Sequence, residues 1–258
     1  MPAAVESLEA AFRAFGFNPG SPLDGALLVS KVVYPATDEH QCREHIAQLA
    51  SEIGREATPE RLLAILRQHG FQGAEQYYEP ANSALALVLD TRRGIPISLA
   101  ALIIGVAEAL EMSAVGINFP GHFLVSLAGA TVDPFTLEVL EAATLTERIN
   151  ASGVPFDQAM KPATPVEMVL RMLNNLRSLA VARGDHTEAL TICDYQLTMA
   201  SDAFPILLAR GESWFALGAE QQAMRELERA LPLAPNPAIA AQLTAKLREF
   251  SARRRTLH

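Results

Sequence analysis

Two residues of this 258-residue sequence have the chemistry and the spacing to act together, His122 and Asp133. Residues 122–127 read as a strand, Ala128-Gly129-Ala130 as a tight turn, and Thr131-Val132-Asp133 as the start of the strand coming back. Such a hairpin sets an imidazole beside a carboxylate, which fixes one tautomer and stabilises the charged ring. Upstream, a helix starting near Pro96 points its N-terminal amides at whatever lies before it, where a thiolate or an oxyanion would be stabilised. A structural histidine bonded to Asp133 fits the same spacing, so both readings stay open.

Around this pair stand further candidates. Tyr77, Tyr78 and Asn82, from the irregular stretch 76–83, would line a cleft beside His122; buried aromatic packing is the plainer account. Arg93, next to Arg92, is a candidate to hold an anionic group, against a solvated pair bracing Asp90 or Glu79. The six histidines show no metal-ligand spacing, and there is no phosphate loop or dinucleotide fingerprint, so neither a metal nor a cofactor is expected. Cys42 and Cys193 form neither a disulfide framework nor a metal spacing, and a reducing cytoplasm is their natural setting.

The elements that must position these residues follow from periodicity. Helices are expected over 6–15 (stopped by Gly16), 24–33 and 38–53, and from a Thr58 cap with Pro59 to Gly70. A short helix over 84–90 precedes the most hydrophobic one, 97–110. The uncharged run 95–107 is too short to span a bilayer and reads as buried. Strands follow over 114–119 and 122–127, with the Pro120-Gly121 turn between them. The result is an α+β arrangement, a short antiparallel sheet behind a buried helix.

Residues 150–164, with Gly153, Pro155 and Pro162, mark a boundary. Beyond it the sequence is helical and repeats. Gly184 and Gly218 lie 34 positions apart, as do Ala189 and Ala223, and the same shift overlays Leu170 on Phe204 and Leu197 on Leu231. That spacing, with Gly between two helices and a small residue five positions later, is the tetratricopeptide signature. Gly permits the left-handed conformation that ends one helix, and Ala lets the next pack closely. A last helix, 238–250, would cap the stack. The expected organisation is therefore a first domain over 1–150 and an all-α, tetratricopeptide-like domain over 165–258.

Half of the residues are apolar and 19% are charged, enough to bury a sizeable core. The formal charge of −8 argues against a bulk electrostatic grip on nucleic acid or an anionic membrane. The first residues carry neither a basic leader nor an apolar signal core, so a soluble, cytoplasmic protein is expected.

Four motifs in order add a family. Tyr77-Tyr78-Glu79-Pro80-Ala81-Asn82-Ser83, Arg92-Arg93-Gly94-Ile95-Pro96-Ile97-Ser98-Leu99-Ala100, Pro120-Gly121-His122-Phe123-Leu124 and Val132-Asp133-Pro134-Phe135 together resemble the bacterial SirB family. These are transglutaminase-like proteins with C-terminal tetratricopeptide repeats, and the resemblance covers nearly the whole chain. It implies a transglutaminase-like (papain-like) core, in which a helix N-terminus, a histidine and an aspartate follow in this order, but supplies no established activity. The sequence departs from active members at one point. Those start the core helix with Gly-x-Cys and an Ala four residues later; with Gly94 and Ala100 aligned, the cysteine position falls on Pro96, and a shift of two residues puts Ser98 there.

The expected function is thus that of a non-catalytic transglutaminase-like protein that binds a protein or peptide partner. One alternative is an amidase or acyltransferase with Ser98 as nucleophile, His122 as base and Asp133 as its orienter. Against that, Ser98 in the first helical turn can simply satisfy a free amide. A further alternative is a repeat adaptor with the core as scaffold.

Overall fold

The computed structural model describes residues 7–255 except residue 202, with side chains described as far as residue 248. The leader reading over residues 1–6, and the start of the first expected helix at Glu6, lie outside the described residues. Packing divides the chain into two units, Asn18–Met172 and Met1–Phe17 with Leu173–His258.

The first helix, α1 (Leu8–Phe17), belongs to the second of these units. The unit Asn18–Met172 opens with α2 (Pro22–Val33), α3 (Glu39–Ile53) and α4 (Pro59–Gln68). Each begins on a side-chain cap. Ser21 Oγ accepts from the Asp24 amide while the Asp24 carboxylate accepts from the Ser21 amide; Asp38 and Thr58 cap the next two. After α5 (Leu85–Thr91) comes α6 (Pro96–Ala109), in which every residue from Pro96 to Ala107 is buried. Such a helix, apolar on all sides, needs a complete jacket. Helices α2, α3 and α5 supply part of it and the sheet supplies the rest. Leu99, Leu102, Ile103 and Ile104 are all fully buried, and each such side chain contributes roughly 1.5–3 kcal/mol.

Two residue pairs, β1 (Gln72–Gly73) and β2 (Arg93–Gly94), run parallel just before the head of α6. The main sheet is antiparallel in the order β3 (Ala114–Ile117), β4 (Leu124–Leu127), β5 (Ala130–Asp133) and β6 (Glu138–Val139). Its hairpin turns at Ala128-Gly129, both with positive φ, the turn whose twist matches the flanking strands. The strands are shorter than periodicity suggests. Ile117 pairs with Leu124 as the last rung of β3–β4, while the Asn118 amide turns away to the Lys161 carbonyl. Consequently His122 does not stand on a strand; it closes the Pro120-Gly121 turn, its amide donating to the Phe119 carbonyl at 3.1 Å. Two short helices, α7 (Ala142–Ser152) and α8 (Phe156–Ala159), reach into the stretch 150–164 expected as a boundary. Ile149 and Ala159 pack there with Ile117, Phe119 and Leu124.

Helix α9 (Pro165–Ala182) crosses from one unit into the other at Met172 and Leu173. The second unit continues with α10 (His186–Met199), α11 (Phe204–Ala216), α12 (Glu220–Ala230) and α13 (Pro237–Arg255). Here the division differs from the sequence-based domains on two points: its boundary lies inside α9 rather than over 150–164, and α1 packs on α10. Phe12 stacks on Tyr195 with ring centroids 5.0 Å apart. Gly16 does not stop α1, which runs on to Phe17 with Gly16 against Met199. Gly184 and Gly218 both adopt left-handed backbone, φ +76° and +75°, and Ala189 and Ala223 are fully buried. No described helix is long and apolar enough to cross a membrane.

Candidate functional site

Asp133, the last residue of β5, is the anchor of the site. It is 2% exposed, and a buried carboxylate must be compensated on both oxygens. Oδ1 lies 2.9 Å from His122 Nε2 and accepts the Phe135 amide at 3.0 Å; Oδ2 accepts from Arg148 Nη1 at 2.8 Å. Burial alone would raise this carboxyl, but the bonds from His122 and Arg148, with the backbone amide of Phe135, outweigh it and hold the group at about 2. Asp133 is therefore an anion at neutral pH. Facing an anion, His122 Nε2 carries the proton of the shared bond.

The imidazole is positioned from the other side as well. Arg171, on α9, donates from Nη2 to the His122 carbonyl at 2.7 Å and from Nη1 to Asn118 Oδ1 at 2.9 Å. Its guanidinium lies 5.4 Å from the Phe123 ring centroid. The turn carrying His122 is thus clamped by a helix 49 positions downstream. Nδ1 of His122 makes no hydrogen bond within the described protein, and the side chain is 26% exposed.

The head of α6 is tied to this corner through β1. The Ala74 amide donates to the Gly94 carbonyl and the Gly73 amide to the Phe135 carbonyl. Phe135 lies so close over Gly73 that a Cβ there would come within 2.5 Å of the ring. Pro96 is the first helical residue, buried and without a donor. Ser98 is fully buried. Its Oγ donates to the Asn82 carbonyl at 2.6 Å and accepts the Ile95 amide at 3.0 Å, and no hydrogen bond joins it to His122. This is the capping geometry of the plainer reading. Asn82 is itself buried, its side chain donating to the Gln76 carbonyl at 2.7 Å.

The remaining sequence candidates divide. Tyr77 reaches the corner, its ring 6.4 Å from Phe135, while Tyr78 stacks edge-on against Tyr77 and is 80% exposed. Arg93 donates to the Gly70 carbonyl at 2.9 Å, linking β2 to the turn after α4. Arg148, Arg171 and the Phe135 amide are the site residues that sequence reasoning missed. Only Phe135 had a local signal, two residues after Asp133. Cys42 and Cys193 are buried in α3 and α10, and burial pushes both thiols up. Among the described residues no three His, Cys, Asp or Glu side chains converge as a metal site. The arrangement can hold a histidine in one orientation and stabilise charge there. At the helix head the Ser98 hydroxyl is engaged by the Asn82 carbonyl and the Ile95 amide.

Known proteins resemble the chain over most of its length. A family model described as transglutaminase-like superfamily matches residues 40–174. A UPF0162 protein of Xylella fastidiosa (strain 9a5c) is 33% identical, over 82% of this chain and 83% of its own length. A UPF0162 protein of Pseudomonas aeruginosa is 28% identical over 96% of this chain and 97% of its own. Protein SirB1 of Salmonella typhimurium is 24% identical over 95% and 98%. No solved structure matches the chain.

Proposed function

The chain belongs to the transglutaminase-like superfamily and, within it, to the UPF0162/SirB family, and from that premise we propose that it works as a non-catalytic member of the fold that binds a protein or peptide partner. The observation that carries this reading is the state of the helix head. Where acyl-transferring members of the fold carry a thiol, Pro96 has no functional group, and the hydroxyl of Ser98 is buried with its proton engaged by the Asn82 carbonyl at 2.6 Å. A nucleophile must instead pass its proton to a base within about 3 Å. In this reading the His122–Asp133 pair serves recognition, presenting an oriented imidazole at a partly exposed turn. The helices from α9 onward act as a tetratricopeptide-like array, on the 34-residue spacing and the paired left-handed glycines. The protein works in the cytoplasm.

A fluorophosphonate probe tests the reading. The wild-type protein is expected to take up no more label than Ser98→Ala. Stoichiometric labelling that Ser98→Ala abolishes would instead establish the serine hydrolase, with His122 as base.

A further inference from the structure

Among the described residues Arg171 has no counter-ion. Its guanidinium is partly buried and bonds two neutral oxygens there, Asn118 Oδ1 and the His122 carbonyl. Arg148 is neutralised by Asp133, and Arg210 by Asp194 and Glu226; Arg92, Arg93 and Arg177, likewise partly buried, share with Arg171 the lack of an ion pair among the described residues. Among the described residues no carboxylate lies within 4 Å of Arg171, in a chain with 29 acidic residues. Burial lowers its affinity for the proton, and the phenol of Tyr77 acts on it in the opposite direction. A desolvated cation held on neutral acceptors is costly, and a planar fork of donors matches a carboxylate.

Around this turn His122 and Arg148 bond Asp133, whose two oxygens are thereby occupied, while Arg171 lies over the Phe123 ring and Tyr77 beside that of Phe135. Tyr77 is 42% exposed and its hydroxyl has no hydrogen bond within the described protein, so it remains a free donor. We propose that Arg171 and Tyr77 form a carboxylate-binding site beside His122, which takes an acidic group of a partner polypeptide. The proposal rests on the partner-binding reading above and names the chemistry of that partner. The carboxylate comes from an Asp or Glu side chain or from a chain terminus, and both present the same planar pair of oxygens.

NMR titration of the full chain with three short peptides tests it, read on the Arg171 Nε–Hε and His122 ring resonances. The probes are acetyl-Ala-Glu-Ala-amide, acetyl-Ala-Ala-Ala with a free C-terminus, and acetyl-Ala-Gln-Ala-amide as the neutral control. Saturable shifts are expected with one or both carboxylate peptides and not with the control, and the responding peptide identifies the source. Arg171→Lys keeps the charge but loses the fork, and is expected to weaken binding about tenfold. Tyr77→Phe, which removes only a hydroxyl, keeps the test decisive if the lysine variant loosens the turn; it is expected to weaken binding a few-fold, on the order of one neutral hydrogen bond. Equal binding of the glutamine peptide, no saturable shift with either carboxylate, or an affinity unchanged in both variants would overturn the proposal. Any of these results, obtained with a protein that takes up no fluorophosphonate, removes this inference and leaves the non-catalytic reading in place.

Discussion

The hydroxyl of Ser98 lies 2.6 Å from the backbone carbonyl of Asn82. Its single proton has a second carbonyl in reach, that of Ile95 at 3.0 Å, while its oxygen accepts the Ile95 amide. The 3₁₀ turn over Pro80–Ser83 is thereby fastened to the first turn of α6. The residue acts as a rivet between two pieces of backbone, and this sets its mutational signature.

Ser98→Ala is expected to lower stability by about 0.5–1.5 kcal/mol, because it removes a buried hydrogen bond from the Asn82 carbonyl, which keeps the Ile95 amide at 3.2 Å. Urea unfolding measures this. A variant as stable as the wild type would mean that the hydroxyl is dispensable to the fold and free for another task.

Asp133 makes stability depend on acid. Its carboxyl sits at about 2 in the folded protein against an ordinary 3.8. The folded pKa is the lower one, so the contribution is complete above the ordinary value and is lost as pH falls through it towards about 2. In urea unfolding, the stability gap between wild type and Asp133→Asn should shrink by on the order of 2 kcal/mol across that window. A gap independent of pH down to about 2 would show that the carboxylate gains nothing from its partners.

Arg148→Ala removes the donor to Oδ2 and leaves His122 and the Phe135 amide on Oδ1. Expected are a loss of about 1–3 kcal/mol at neutral pH and a carboxyl moved upward from about 2, seen as acid destabilisation that begins at higher pH. Arg148→Lys should recover part of both. The check is the same unfolding series, with the carbon resonance of the Asp133 carboxyl followed by NMR.

In the helical unit, Gly184→Ala and Gly218→Ala force a side chain onto left-handed backbone. Each should lower stability by about 1–2 kcal/mol, and Gly184→Asn by less. Thermal unfolding of the variants, compared at one protein concentration, decides this. Alanine variants as stable as the wild type would argue against a turn that terminates the helix by this conformation.

Much of this was legible in the sequence because it is local. The helix cap at Thr58, the Ala128-Gly129 turn and the two glycines at a 34-residue spacing each write their conformation within a few residues; the caps at Asp38 and Asp185 emerge only in the structure. The His122–Asp133 pair was legible for the same reason, since one hairpin joins them. What was illegible depends on distance along the chain. Nothing near residue 171 announces that its guanidinium will hold the His122 carbonyl, and nothing near 148 announces Asp133. The parallel rungs of β1 and β2 are too short to leave a pattern, and α7 buries only Ile149, so its period is faint. The strand expected through His122 fails because Asn118 leaves the sheet for the Lys161 carbonyl, a bond 43 positions away. Helix α1 illustrates the same limit: its neighbour in space, Tyr195, is remote in sequence.

On the non-catalytic reading no side chain at the head of α6 forms a covalent bond to a substrate. Intact-mass spectrometry of the protein incubated with p-nitrophenyl acetate, quenched during turnover, tests it most directly, with His122→Ala alongside to separate site chemistry from surface acylation. Wild type and His122→Ala are expected to show the same mass distribution. An acyl adduct present in the wild type and absent from His122→Ala would contradict it.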